Sequence, residues 1–453
     1  MSSKLFGSSG ARGLANVELT PTLAAQVGLA VTTRAKAKTV VVGRDTRTSG
    51  PMLENALVAG LMSAGTNVKQ LGVLPTPVLA YLTRELKADA GIMITASHNP
   101  PQYNGLKVFD ATGTAYDMKS QDEVEKTISQ KQFKMAEWPK VGSSQQTEQS
   151  YLYAEALVKK VRLRRKWRIV LDSGCGATFS LAPNILKSLG CTVTALNAQA
   201  DGFFPARSPE PNAESLAPLA EIVKKSGADI GLGYDGDGDR VAFIDGEGKF
   251  ADFDQILAAY AAHVTNKRGA VVVTNVEASM SIEKMVEKKG GKVVRARVGD
   301  VYLTEEMKKQ KAVFGGEPCG AWIHPQFHYC PDGILSSILL LQALEDEHME
   351  LAEFVAKTPE FPTVRKNIPC KNSVKLEVMK KLKRSLETAF PRHGETSNID
   401  GIRIMLDKGW MLVRASGTEP MIRLTVEGET LRTANKITEK GIVLVKELVG
   451  KVG

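Results

Sequence analysis

Short aliphatic runs alternate with amphipathic stretches along this chain, and the alternation restarts twice before it changes character. "TVVVGRD" leads into the helical pattern "SGPMLENALVAGLMSAG", then "NVKQLGVLPTP", a second helix through "VLAYLTREL", and "GIMITAS". A chain that repeats strand and helix in this way has few solutions, because helices must cover the faces of a parallel or mixed sheet. After a polar segment, "VGSSQQTEQS", the pattern begins again with "KWRIVLDSG", "LAPNILKSLG", "CTVTALNA", "SLAPLAEIVKKSG" and "ADIGLGYD". It begins a third time with "GAVVVTNVE", "SIEKMVEKKG", "GKVVRARVG", "VYLTEEMKKQ" and "AVFGGE". Beyond about Glu360 three strands, "DGIRIML", "GWMLVRAS" and "PMIRLTVEGE", precede a closing helix from about Leu431, a smaller α+β unit. The expected fold class is α/β with four domains: three similar mixed-sheet α/β domains, 1–145, 146–250 and 251–360, and a C-terminal α+β domain, 361–453. Ligand sites tend to form in the clefts between such domains.

At 453 residues the chain exceeds one ordinary hydrophobic core, which agrees with several domains. Hydrophobic residues at 43% and charged residues at 24% exclude a disordered or collagen-like chain. The net charge of +9 favours anionic partners such as phosphorylated metabolites. The densest cationic run, "KKVRLRRKWR" (159–168), is read as a solvated helix end and linker, so no nucleic-acid partner is expected. Five scattered cysteines, Cys175, Cys191, Cys319, Cys330 and Cys370, form no C-x-x-C pair and suggest neither a disulfide framework nor a zinc site. The start lacks the long apolar core of a signal peptide. The longest apolar run, around "ILSSILLLQAL", falls short of the ~20 residues that span a bilayer. A cytoplasmic monomer or homodimer without a membrane partner is the expectation.

The strongest local signal is "YDGDGDR" (234–240), where Asp235, Asp237 and Asp239 alternate with glycines between two strands. Three like charges so close repel one another unless a cation neutralises them. Hard oxygen ligands suit Mg²⁺, and glycine lets the backbone curl so that the carboxylates converge. The loop shares its opening with an EF-hand, but Arg240 stands where that motif requires glycine and Gly246 where it requires a bidentate glutamate.

Ser97, in "TASHNPPQYNGLK", sits beside His98 and invites a hydrolase reading. A nucleophile elbow would show G-x-S-x-G, and no glycine flanks Ser97. A histidine adjacent in sequence also rarely points at its neighbour's hydroxyl as a general base must. A serine together with a magnesium loop suggests phosphoryl transfer instead. Lys107 follows in "NGLK" as a candidate acid or base. In "RASGTEPMIR", Arg414 and Arg423 flank a turn of Ser416, Gly417 and Thr418 that can offer hydroxyls and N–H groups to one phosphate. Each charge-assisted bond of this kind contributes roughly 1.5–3 kcal/mol. An ordinary hairpin with incidental arginines fits that stretch equally well by itself. Glu317, in the glycine-framed turn of "GGEPCGAWIHP", can accept hydrogen bonds from sugar hydroxyls, with Trp322 nearby; alone, that turn decides nothing.

Together, in this order and over almost the whole chain, these four loops resemble those of the α-D-phosphohexomutase family. Its members are phosphoglucomutases, phosphomannomutases, phosphoglucosamine mutases and phosphoacetylglucosamine mutases. "TASHNPPQYNGLK" is similar to the family's phosphoserine loop, "DGDGDR" to its metal loop, "GEPCG" to its sugar-binding loop and "RASGTEP" to its phosphate-binding loop. "FGSSGARG", "GRDTRTSG", "PTP", "FPARSPEPN" and "RVGD" (297–300) match as well.

The resemblance implies a heart-shaped molecule in which each domain sends one of these loops into a central cleft. It implies that Ser97 is phosphorylated, that Lys107 is the general acid/base, that Arg12 stabilises phosphoryl charge, and that His98 and Arg240 adjoin the phosphoserine and metal. Mg²⁺ would be held by Asp235, Asp237, Asp239 and a phosphate oxygen on Ser97. Substrate contacts are expected from Arg240, Gly299, Asp300, Glu317, Cys319, Arg414, Ser416, Gly417, Thr418 and Arg423. The implied reaction interconverts hexose 6-phosphate and hexose 1-phosphate, with hexose 1,6-bisphosphate as intermediate and activator. Some positions depart from the family pattern. Ser8-Ser9 replaces the Thr-Asp common in bacterial phosphoglucosamine mutases and is nearer the Thr-Ser of several glucose and mannose enzymes, Cys319 stands where serine is usual, and Ala321 where histidine often follows the glycine. A thiol is the weaker hydrogen-bond partner, and Trp322 and His324 are expected to compensate. The sugar loop is most similar to that of archaeal phosphoglucosamine mutases, which points to glucosamine phosphate, with glucose or mannose phosphate as alternatives. A sugar-phosphate-binding protein without activity is the rival of another class; intact Ser97, Lys107 and three aspartates argue against it.

Overall fold

A computed structural model describes residues 5–7, 10–416 and 420–452. Four sheets follow one another along the chain. The first has seven strands in the order Phe6–Gly7, Gly10–Leu14, Tyr103–Asp110, Ala90–Ile94, Thr39–Arg44, Asn67–Val73 and Ser144–Gln146. Thr39–Arg44 runs parallel to both of its neighbours, whereas Tyr103–Asp110 returns antiparallel to Ala90–Ile94. The loops after Thr39–Arg44 and Ala90–Ile94 therefore emerge together at the carboxyl ends of adjacent parallel strands, the usual place for a ligand site in such sheets. Every residue of Ala90–Ile94 is buried, as expected of a strand covered on both faces.

The second sheet has the order Val241–Asp245, Ile230–Tyr234, Arg168–Asp172, Thr192–Leu196, and the third Lys292–Ala296, Val271–Asn275, Phe314–Gly316, Trp322–Ile323. Each is parallel apart from one antiparallel edge strand. The fourth sheet is wholly antiparallel and is packed by the helices Asn372–Ala389 and Leu431–Val452. Its three inner strands are the expected ones. Thr363–Pro369 and His393–Ser397 add the edges, and their mostly polar, half-buried to exposed residues carry little strand signal.

The apolar run "ILSSILLLQAL" lies in the helix Gly333–Glu347, capped by the Asp332 carboxylate, which accepts from Leu335 N. It is buried nearly all round because one continuous core, including Met93, Phe109, Leu171, Tyr260 and Leu341, joins the first three domains against it. The C-terminal domain keeps its own core and meets the third domain through Val276, Met280, Trp410 and Leu412. Among the described residues no helix is long and apolar enough to cross a membrane. The cationic run 159–168 is engaged by acids. Arg164 pairs with Asp346, Arg165 with Glu350 and Asp229, and Glu345 accepts from the N–H groups of Arg164 and Arg165 and from the Trp167 indole.

Trp322 and His324 correct one expectation. Trp322 is fully buried, stacked on Tyr260 with ring centroids 4.8 Å apart, and His324 Nε2 lies 3.0 Å from Ser336 Oγ in the interior. The two-residue edge strand turns this stretch into the core, so neither side chain replaces the hydroxyl missing at Cys319. Burial pushes the His324 imidazole down to about 3 from its ordinary 6.5. Below pH 6.5 the unfolded chain therefore takes up a proton that the folded chain refuses, and stability falls as pH drops. This one group should lower stability by about 2 kcal/mol between pH 7 and pH 5. Urea unfolding at both pH values should show a smaller acid loss in His324→Gln than in the parent; equal losses would refute the assignment.

Candidate active site

Ser97 lies in the loop that follows Ala90–Ile94. It is buried and holds a left-handed backbone, φ 52°, which disfavours any residue with a Cβ. Its Oγ donates to Asp235 Oδ2 at 2.7 Å, while His98 Nδ1 stands 3.4 Å away. The short contact belongs to the carboxylate, and the histidine is not placed as a base for this hydroxyl. Burial, with Arg240 and Arg12 alongside, pushes the His98 imidazole down to about 2, so it is neutral at physiological pH.

Asp235, Asp237 and Asp239 occupy the turn between Ile230–Tyr234 and Val241–Asp245, all three buried. One oxygen from each carboxylate lies within 4.8 Å of the other two. Lys107 reaches this cluster from the strand Tyr103–Asp110, with Nζ 3.1 Å from Asp237 Oδ2 and 2.6 Å from Asp239 Oδ2. Thr76, of the "PTP" stretch, donates to Asp237 Oδ2 at 2.5 Å. The Oδ1 atoms of Asp237 and Asp239 are buried without a hydrogen-bond partner among the described residues. Buried carboxylate oxygens are seldom left so, and a hard cation among them would satisfy both. Burial and then the charges of Asp237 and Asp239 raise the Asp235 carboxyl well above its ordinary value. Burial alone would depress the Lys107 ammonium, but Asp237 and Asp239 outweigh it and hold the lysine charged.

Arg12 Nη1 donates to Asn99 Oδ1 at 2.8 Å, and Arg240 N donates to Asp235 Oδ1 at 3.2 Å. In the third domain, Glu317 Oε1 accepts from Asn275 Nδ2 at 2.8 Å and from Gly299 N at 2.9 Å, which ties this carboxylate to the start of the helix Asp300–Gln310. Burial pushes the neighbouring Cys319 thiol up to about 12, so it is no thiolate. In the C-terminal domain Arg414 pairs with Glu277 and, at 3.0 Å, with Asp400. Arg423 stands opposite Arg414 across two paired strands, and Ser416 O accepts from Lys375. Gly417 and Thr418 lie outside the described residues. Direct contact thus joins Ser97, Asp235, Asp237, Asp239 and Lys107, whereas the bonds of Arg414 and Ser416 run within the third and fourth domains.

Sequence reasoning gave no role to three residues that build this site. Besides Thr76 these are Arg207, which donates to Asp172 Oδ2 at 2.9 Å and Tyr234 O at 2.6 Å beneath the aspartate turn, and Arg47, beneath the serine loop. All three lie in stretches that matched the family, "PTP", "FPARSPEPN" and "GRDTRTSG". Gly236 is a further constraint, since a Cβ there would lie 2.5 Å from Ser97 O. Gly236→Ala should therefore push the serine loop off the aspartate turn and lower turnover about 100-fold, the scale of a 1 Å misplacement. Steady-state rates check this, and an unimpaired variant would show that the two loops need not touch.

Four sheets in this order, with a serine, three aspartates and a lysine in contact between the first two, define the α-D-phosphohexomutase class of enzymes. Family models for phosphoglucomutase/phosphomannomutase match the chain over residues 3–135 (domain I), 150–248 (domain II), 252–361 (domain III) and 366–440 (C-terminal domain). The chain belongs to the phosphoglucomutase/phosphomannomutase family. A Pyrococcus abyssi protein described as "Probable phosphoglucosamine mutase" is 42% identical over 449 residues, covering 99% of both chains. The phosphoglucosamine mutase of Methanococcus maripaludis is 40% identical over 449 residues, 98% of each. Among solved structures, a phosphoglucomutase/phosphomannomutase family protein from Burkholderia thailandensis superposes with a TM-score of 0.89 at 28% identity, covering 99% of this chain and 98% of its own.

Proposed function

We propose that this enzyme interconverts glucosamine 6-phosphate and glucosamine 1-phosphate, with Ser97 as the phosphoryl carrier. The observation that carries the reading is the 2.7 Å contact between Ser97 Oγ and Asp235, inside a buried cluster that also holds Asp237, Asp239 and Lys107. The amino sugar is favoured by the phosphoglucosamine mutases among its relatives.

In the forward step the bond from phosphorus to Ser97 Oγ breaks as a bond to a sugar hydroxyl oxygen forms, giving the hexose 1,6-bisphosphate. Lys107, kept charged by Asp237 and Asp239, gives a proton to the departing serine oxygen and takes up the one that the attacking sugar hydroxyl releases. Arg12 and Arg240 supply fixed positive charge where phosphoryl charge gathers, and the neutral His98 can donate a hydrogen bond there. Asp235, Asp237 and Asp239 would hold Mg²⁺ with a phosphate oxygen on Ser97, and the ion's chemistry there is to offset the charge of the transferring group. The bisphosphate turns over and its other phosphoryl group returns to Ser97. Both orientations need a clamp for the phosphate that is not reacting, the role given to Arg414, Ser416, Gly417, Thr418 and Arg423. Gly299, Asp300, Glu317 and Cys319 face the sugar. A coupled assay with the 6-phosphates of glucosamine, glucose, mannose and N-acetylglucosamine tests the substrate. We expect kcat/KM for glucosamine 6-phosphate to lead by about tenfold or more, a gap of about 1.4 kcal/mol; a lead for glucose or mannose would overturn the amino-sugar assignment.

A further inference from the structure

Arg47 is fully buried at the floor of the serine loop. A guanidinium has five N–H donors in one plane, and here all five are engaged. Nη2 donates to Ser97 O at 2.8 Å and to Asn99 O at 2.6 Å, Nη1 to Pro100 O at 2.6 Å and to Tyr103 O at 2.9 Å, and Nε to Asp45 Oδ2 at 3.0 Å. No donor is left for a substrate phosphate, although the residue is a cation directly behind the carrier serine. What the fork binds is the backbone of the serine loop itself.

The anchor is locked in turn. Asp45 Oδ1 accepts from Arg47 N at 2.9 Å and Asp45 Oδ2 from Thr95 Oγ1 at 2.7 Å, while Thr95 Oγ1 accepts from Ser97 N at 2.9 Å. Asp45, Arg47, Ser97 and Thr95 thus close a ring of hydrogen bonds around the left-handed residue. From the second domain, the Phe204 ring covers the guanidinium with its centroid 5.2 Å away. Four loop carbonyls are thus fixed on one guanidinium, and Ser97, which supplies one of them, places its Oγ 2.7 Å from Asp235 Oδ2.

We propose that Arg47 is a positioning residue for phosphoryl transfer: its saturated fork sets the backbone of the serine loop so that Ser97 Oγ is held against the metal-loop aspartates. The role rests on Ser97 being the phosphoryl carrier. Lysine at this position brings the same charge but only three donors and no fixed plane, so it cannot span the same five acceptors.

The test follows the rate at which glucose 1,6-bisphosphate phosphorylates Ser97, read by intact mass, together with kcat and KM for glucosamine 6-phosphate. In Arg47→Lys, labelling and kcat should both fall about 100-fold, with KM within about threefold of wild type because the phosphate clamp is untouched. Millimolar guanidinium should restore part of the rate to Arg47→Ala, which a role confined to stability does not predict. If Arg47→Lys does not fold, Asp45→Asn decides, with labelling expected to slow about tenfold as the anchor weakens. A wild-type chain that takes up no phosphoryl group overturns the carrier reading and the positioning role with it. A wild type that is labelled, with variants labelled equally fast, overturns the positioning role alone.

Discussion

Ser97→Ala is expected to lower turnover by at least ~10⁴-fold while leaving a folded protein, since removing a covalent nucleophile deletes the two-step route it provides. The hydroxyls of Thr95 and Thr76 cannot take over. Thr95 Oγ1 is committed to Asp45, and Thr76 Oγ1 is buried and bonded to Asp237. The stability cost is that of one buried hydrogen bond to a carboxylate, about 1–3 kcal/mol, so the variant should melt only a few degrees lower. Two measurements separate the possibilities: initial rates with hexose 6-phosphate, and intact mass after incubation with hexose 1,6-bisphosphate. The wild type should gain one phosphoryl group and the variant none. A variant that still turns over at more than about 1% of wild type, a loss of under 3 kcal/mol in barrier, would place the carrier elsewhere.

The layered architecture was legible because strand and helix periods alternate so regularly between residues 39 and 347, and the chemically active loops were legible because their compositions are improbable as mere turns. Contacts between loops were another matter. Ser97 and Asp235 are 138 residues apart, and their contact depends on how the first and second domains share one core. Lys107 reads from sequence as a candidate acid or base, with no partner named for its charge. Its place among the aspartates follows from the antiparallel return of Tyr103–Asp110 beside Ala90–Ile94, which pairs Lys107 with Met93. Arg47 illustrates the limit most sharply. In "GRDTRTSG" it looks like one more cation of a basic chain, and only the folded loop reveals five acceptors converging on it.

Sequence is least informative where the chain changes environment within a few residues. "GEPCGAWIHP" reads as one glycine-framed turn whose Trp322 and His324 compensate for Cys319, yet it is divided by the edge strand Trp322–Ile323, so Glu317 stays near the start of the helix Asp300–Gln310 while Trp322 and His324 enter the core. Arg414 stays a candidate for the phosphate clamp, with a feature the sequence does not show. In the fold its charge is met by Glu277 and Asp400, so an arriving phosphate must compete with two carboxylates. Isolated charges in a sequence do not reveal such partners, because these are supplied by loops more than ten residues away and in another domain.

Chelation of divalent cations should reduce turnover by at least ~10³-fold, with Mg²⁺ restoring it, an effect of about 4 kcal/mol on the barrier. The expectation comes from charge. Two carboxylates about 4 Å apart repel by roughly 4 kcal/mol at an effective dielectric of 20, and three converge here. Lys107 offsets one of them through Asp237 and Asp239, and phosphorylation of Ser97 beside Asp235 would add about two further negative charges. Neither Asp237 Oδ1 nor Asp239 Oδ1 has a hydrogen-bond partner among the described residues, and Arg240 Nε stands 3.9 Å from the latter, which leaves both open to a metal ion. Asp237→Asn should accordingly weaken Mg²⁺ binding about 100-fold in calorimetry and shrink the rise in melting temperature that saturating Mg²⁺ produces. Rates unchanged by EDTA, or equal Mg²⁺ affinity in the variant, would leave the aspartate turn with a purely structural part, its charges balanced by Lys107 and the neighbouring arginines.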